Sequence, residues 1–176
     1  MNVKPGALKL AMGLGFAGAL AYVFGRKTEV VVDIGEAVIT PSFVFPVDGS
    51  VSFSDTFGAP RDGGRAHQGA DIFADEGTPV RAVVDGSVSF GSNTLGGLTA
   101  TVIGADNTSY YYAHLSAQEG EPRGVHAGDL IGYVGHTGNA AHTLPHLHFE
   151  VHPNRGVAVN PYKLLKNADV NHTASA

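Results

Sequence analysis

From Phe45 onward the chain is punctuated by turn-forming pairs, and the runs between them show no sustained helical period. Asp48-Gly49, Asp62-Gly63-Gly64, Asp85-Gly86, Gly96-Gly97 and Asp106-Asn107 separate short segments rich in Val, Ile, Phe, Thr and Tyr. Such pairs supply the backbone freedom that tight turns require, and β-branched and aromatic residues suit the pleated strands between them. This is the pattern of an all-β domain. Strands are expected over residues 51–53, 79–84, 87–91, 98–103, 109–113, 130–134 and 147–152, with a short closing helix over 160–166. From residue 167 to 176 the chain is small and polar, the composition of a frayed tail.

A length of 176 residues fits one compact domain with some accessory sequence. With 43% apolar and 15% charged residues and a formal net charge of −5, the chain can bury a core and is not a disordered polyelectrolyte. Its 11 Lys and Arg are scattered among 16 acidic residues, which excludes the basic surface that nucleic acid demands. The absence of cysteine removes disulfides, thiolate metal sites, cysteine nucleophiles and a lipidated cysteine together. Nine histidines direct attention to metal ligation instead.

Residues 10–25 carry no charge and lie between Lys4 and Lys9 on one side and Arg26 and Lys27 on the other. As a hydrophobic helix they would span about 24 Å, short of a hydrocarbon core of about 30 Å unless the flanking cations snorkel. Residues 1–25 therefore read as a signal peptide or an uncleaved membrane anchor. Residues 26–44 are β-prone but broken by Gly35 and Pro41, and are read as a linker that can add an edge strand. The folded domain is expected over residues 45–163, with residues 164–176 as a tail.

Three clusters carry chemistry. His67-Gln68-Gly69-Ala70-Asp71 sets an imidazole and a carboxylate, both zinc ligands, four residues apart, with Gly69 allowing the backbone to bend them together. His146-Leu147-His148-Phe149-Glu150-Val151-His152 alternates with a period of two, so His146, His148 and Glu150 share one strand face while Leu147, Phe149 and Val151 enter the core. Tyr112-Ala113-His114-Leu115 stands at the end of an expected strand, where side chains point into shared clefts. Four histidines and an aspartate suffice for a three-ligand catalytic zinc with two histidines left to move protons. That is what amide hydrolysis needs, because zinc brings the pKa of a bound water to about 7 and imidazole titrates near neutrality.

These motifs resemble the M23 family of zinc metallopeptidases, the lysostaphin-like or LytM-type endopeptidases. Phe57-Gly58-Ala59-Pro60-Arg61, His67-Gln68-Gly69-Ala70-Asp71-Ile72, Gly77-Thr78-Pro79-Val80-Arg81-Ala82, Asp85-Gly86, Tyr112-Ala113-His114-Leu115-Ser116, Gly128-Asp129-Leu130-Ile131-Gly132, Gly135-His136-Thr137-Gly138 and Pro145-His146-Leu147-His148-Phe149-Glu150 follow the family's order. The resemblance implies an antiparallel β-sheet domain with a narrow groove. It implies Zn2+ held by His67, Asp71 and His148, with His114 and His146 as the catalytic pair, and hydrolysis of peptide cross-links or stem peptides of bacterial peptidoglycan. With the apolar N-terminus it also implies a catalytic domain outside the cytoplasm, in the cell envelope or on a phage particle. A non-catalytic wall-binding module, or an activator of other wall hydrolases, is the alternative; in members that act so, ligands are missing, whereas all five positions are present here. Two departures stand out: the turn over residues 104–109 is compact, and no tyrosine lies between Phe57 and His67.

Other residues are read as ordinary. His126, His136, His142 and His172 are expected in solvent. His152 shares the face of His148 but stands about 13 Å along the strand from it, too far to ligate the same ion. Glu150 reads equally as an acceptor for a metal-bound imidazole or as plain surface. The run Tyr110-Tyr111-Tyr112 reads as strand packing.

Overall fold

The computed structural model describes residues 30–33, 36–39 and 43–173. The helix expected over residues 10–25 lies outside the described residues. Among the described residues no helix is long and apolar enough to cross a membrane. Contacts divide the chain into two compact units, Met1–Ser42 and Phe43–Ala176. In the first unit, β1 (Val30–Asp33) and β2 (Glu36–Ile39) form an antiparallel ribbon in which Val30 faces Ile39.

The second unit is an antiparallel β-structure, as the turn pattern requires. Its strands are β3 (Ser52–Phe53), β6 (Ala70–Phe73), β7 (Pro79–Arg81), β8 (Gly86–Asn93), β9 (Gly97–Gly104), β10 (Ser109–Gln118), β11 (Arg123–Val125), β12 (Leu130–Val134) and β13 (His146–His152). They run in the order β11-β8-β9-β10-β13-β6-β3, with β12 paired to both β10 and β7. A separate ribbon of β4 (Pro60–Arg61) and β5 (Arg65–Ala66) stands before β6. The compact turn after β9 is closed by bonds from Gly104 N–H to Thr108 O and from Asn107 N–H to Gly104 O, both 3.0 Å.

The core forms where period-two strands turn their apolar faces inward. Ile72, Val80, Val102, Tyr112, Leu115, Ile131, Leu147 and Phe149 are all fully buried. The alternation of residues 147–152 marks β13, whereas β6 is not among the expected strands, because its four residues turn only Ala70 and Ile72 into the core. The strand β10 also runs past Ala113 to Gln118, so His114 lies inside a strand and not at its end.

A closing helix is present but longer than expected. Helix α1 (Tyr162–Thr173) is capped where Tyr162 N–H donates to the Asn160 side chain at 2.9 Å, with Pro161 between them. It continues past Lys166 because Leu165 and Ala168, three apart, place one helix face in the core. Residues 167–173, read as part of a frayed tail, are thus helical.

Candidate metal centre

Strand parity builds the floor of a groove. On β13, Leu147, Phe149 and Val151 are buried in the core, which turns His146, His148, Glu150 and His152 to the opposite face. Register aligns this face with its neighbours: His148 stands opposite Asp71 of β6 on one side and Ala113 of β10 on the other. His146 stands opposite Phe73, and Glu150 opposite Tyr111. The small side chain of Ala113 leaves the space above His148 open.

His67 reaches this row from the chain before β6. Its segment is strapped by His67 N–H donating to Ala59 O at 2.9 Å and Gly58 N–H donating to His67 O at 2.8 Å. Gly69, expected to bend the chain, serves a different purpose: a Cβ there would sit 2.2 Å from the Phe149 carbonyl oxygen. The missing side chain lets the backbone entering β6 lie against β13, and that contact sets Asp71 beside His148.

The result is a triangle of ligand atoms. His67 Nε2 lies 3.0 Å from both Asp71 Oδ1 and His148 Nδ1, and His148 Nδ1 lies 2.9 Å from Asp71 Oδ1. It is the one group of three such residues among the described residues able to hold a metal ion. Atoms bound to one zinc at about 2.0–2.2 Å cannot be more than about 4.4 Å apart, so the spacing fits. The outer nitrogens make the same case. His67 Nδ1 donates to the Thr56 carbonyl oxygen at 3.0 Å, and His148 Nε2 donates to Glu150 Oε1 at 2.9 Å. With those hydrogens committed outward, three lone pairs face one another, and only a cation among them, a proton or a metal ion, relieves the repulsion.

The charge environment agrees. Burial pushes Asp71 up, but its bonds with His148 and His67 outweigh burial and hold the carboxyl far below its usual range. Burial pushes His148 down, yet its contacts with Asp71 and Glu150 prevail and raise it. Glu150 is raised by burial and, on balance, lowered by His148 and His152. The second Asp71 oxygen, Oδ2, accepts from the Arg61 guanidinium.

His114 and His146 complete the cluster. Along β10, Tyr112 and Leu115 both enter the core, although strict alternation forbids it. The register against β9 shifts between them, and His114 takes a left-handed backbone with φ 65°. At this bulge β10 also passes from pairing with β13 to pairing with β12. The extra residue sends Ala113 and His114 to the groove side. His114 Nδ1 donates to the Thr137 carbonyl at 2.9 Å, and His146 Nδ1 donates to the Leu144 carbonyl at 2.8 Å. In the neutral form of each ring, Nε2 is then the nitrogen that carries the lone pair. The two ring centroids are 4.9 Å apart, and His146 Nε2 lies 3.9 Å from Asp71 Oδ1. Burial, aided by the neighbouring His146 and His148, pushes His114 down to about 4.

All five residues singled out from the sequence thus converge, and several others join them. Thr137, in the loop after β12, also donates through Oγ1 to Leu115 O at 2.8 Å and accepts from Leu98 N–H at 3.0 Å, which locks the bulge. Gly138 makes this possible: it has φ 69°, and a Cβ would meet Gly97 N at 2.3 Å. Where no tyrosine precedes His67, Arg61 lines the groove with Arg65, Asn93 and Tyr111. Tyr111 is not strand packing like Tyr112; its hydroxyl accepts from Asn93 Nδ2 at 3.0 Å. His126 and His142 are exposed, and His136 is partly exposed, 3.6 Å from Glu76. The side chain of His172 lies outside the described residues.

Comparison with known proteins follows the same residues. The model of peptidase family M23 matches residues 65–161. The DD-carboxypeptidase/endopeptidase Mpg of Neisseria meningitidis serogroup B (strain ATCC 13091 / M2091) is 44% identical over 98 residues, covering 55% of this chain and 22% of that protein. The L-Ala--D-Glu endopeptidase of Bacillus subtilis (strain 168) is 35% identical over 149 residues, covering 77% of this chain and 44% of that protein. The chain therefore spans less than half the length of either relative. The catalytic domain of lysostaphin from Staphylococcus simulans superposes with a TM-score of 0.60 at 33% identity, covering 66% of this chain and 92% of that one.

Proposed function

This chain belongs to peptidase family M23, and from that premise we propose that it hydrolyses peptides of bacterial peptidoglycan with a zinc ion held by His67, Asp71 and His148. The observation that carries the reading is the triangle of inward lone pairs, 2.9–3.0 Å on each side, with His114 and His146 beside it. A relative named for cleaving L-Ala–D-Glu and the likeness to lysostaphin's catalytic domain support wall peptides as the substrate class.

A zinc ion so held supplies a Lewis acid that acidifies water and polarises a peptide carbonyl. The remaining work belongs to the protein. Thr56 and Glu150 fix which nitrogen of His67 and of His148 faces inward. His114 and His146 offer Nε2 lone pairs at the groove, where one proton must leave the attacking water and one must reach the departing amine. Because burial keeps His114 neutral, it is not the group that carries a proton in.

Incubating purified, zinc-loaded protein with wall sacculi should release free amines, and mass spectrometry of the new termini identifies the bond. His148→Ala should remove both zinc and amine release. Full hydrolysis by verified metal-free protein would overturn the mechanism. Zinc binding without release, from walls of several cross-link types, would favour a wall-binding module. The uncharged run 10–25 between basic flanks supports a place in the cell envelope. A reporter fused to residues 1–27 should then fractionate with membranes or be exported.

A further inference from the structure

We infer that His152 is a positioning residue for the metal centre, acting through Glu150 on His148. The inference rests on His148 being a zinc ligand. A period of two places residues 148, 150 and 152 on one face of β13, and they form a continuous chain of bonds. His148 Nε2 donates to Glu150 Oε1 at 2.9 Å, and His152 Nε2 donates to Glu150 Oε2 at 2.6 Å. The other ring nitrogen, Nδ1, lies 2.9 Å from the Gly156 carbonyl oxygen, so the ring that carries both N–H hydrogens bridges Glu150 and the turn.

The need for the third member follows from the carboxylate. An acceptor held at one oxygen still swings about its terminal torsion, and a swinging acceptor lets the His148 ring turn and misdirect Nδ1. Holding both Glu150 oxygens removes that freedom.

The turn beyond β13 is shaped to complete the clamp. Asn154 and Arg155 both adopt left-handed backbone, with φ 50° and 56°. Two successive non-glycine residues in that region are costly. Their effect is to reverse the chain so that Gly156 N–H donates to Pro153 O and the Gly156 carbonyl returns over the His152 ring. Val159 N–H then rejoins the strand at Val151 O, 2.9 Å away. His152 is too far along the strand to touch the ion and acts only through what it holds.

The test is zinc affinity of the full chain, measured by competition with a chromophoric chelator. His152→Phe keeps a ring but no donor, and should weaken zinc binding roughly 10- to 100-fold. His152→Gln places an amide donor near the former Nε2 and should stay close to wild type. Glu150→Ala should weaken binding similarly, and adding His152→Phe to it should change nothing further. Wild-type affinity in His152→Phe, or an equal loss in the Glu150→Ala background, would overturn the inference while leaving the zinc site intact. Failure of the unmodified chain to bind zinc would instead remove the premise. Thermal unfolding of the metal-free variants separates a structural role, which lowers the midpoint without moving zinc affinity.

Discussion

His114 is held against two preferences at once, a left-handed backbone and an imidazole buried beside two other histidines. The Thr137 carbonyl compensates for the buried N–H, and the surrounding histidines disfavour a second proton. Imidazole NMR of the metal-free protein should therefore show His114 titrating near 4; a midpoint near the ordinary 6.5 would refute its neutral state. Below about 6.5 the unfolded chain takes up a proton that folded His114 refuses, so its contribution is complete above 6.5 and is lost as pH falls toward 4. Arg61 gives a second prediction, since it holds the Asp71 oxygen that does not face the histidines. Arg61→Ala should weaken zinc binding roughly 10-fold or more in chelator competition. The five principal side chains were legible because imidazole and carboxylate announce their chemistry, although the family resemblance, and not spacing, distinguished His148 from His146. Their supports were hidden. Thr56, Thr137 and Leu144 act through backbone carbonyls, which no side-chain identity signals.

At the scale of elements, the site depends on β6 and β13 lying in one register, and Gly69 guards it. A Cβ at Gly69 would meet backbone atoms of Phe149, which cannot rotate aside as a side chain can. Gly69→Ala should lose about 1–3 kcal/mol of stability in denaturant unfolding and weaken zinc binding as well. Gly91→Ala is the control, because its nearest atom, Thr99 Oγ1, is 3.4 Å away in ordinary contact. Equal behaviour of the two variants would show that the β6–β13 approach does not position Asp71. The strand β13 was the most legible element, since seven residues alternate without interruption. By contrast, the extent of β10 was obscured by its bulge, where the same alternation that marks a strand breaks down at the residue the site requires. The length of helix α1 is hidden in the sequence, because polar residues from 167 onward mask the one-sided pattern of Leu165 and Ala168.

For the whole molecule, the centre exists only when distant parts of the chain meet. His67 and His148 are separated by 81 positions, and the strands between them wrap the core before returning to the same row. No local pattern encodes that closure, which is why topology was legible only through resemblance to a family. It also ties metal to folding. A site absent from the unfolded chain binds zinc only in the native state, so zinc at 100 times its dissociation constant should add about 2.7 kcal/mol of stability. Chelation should then lower the unfolding midpoint, and His148→Ala should show little further response to chelator. Among the described residues, every proposed ligand, every carbonyl that orients one and the buried core lie within Phe43–Ala176. A chain beginning at Phe43 should keep the zinc-dependent rise in midpoint and the affinity of the full chain. A loss of either would mean that residues 1–42 contribute to the centre itself.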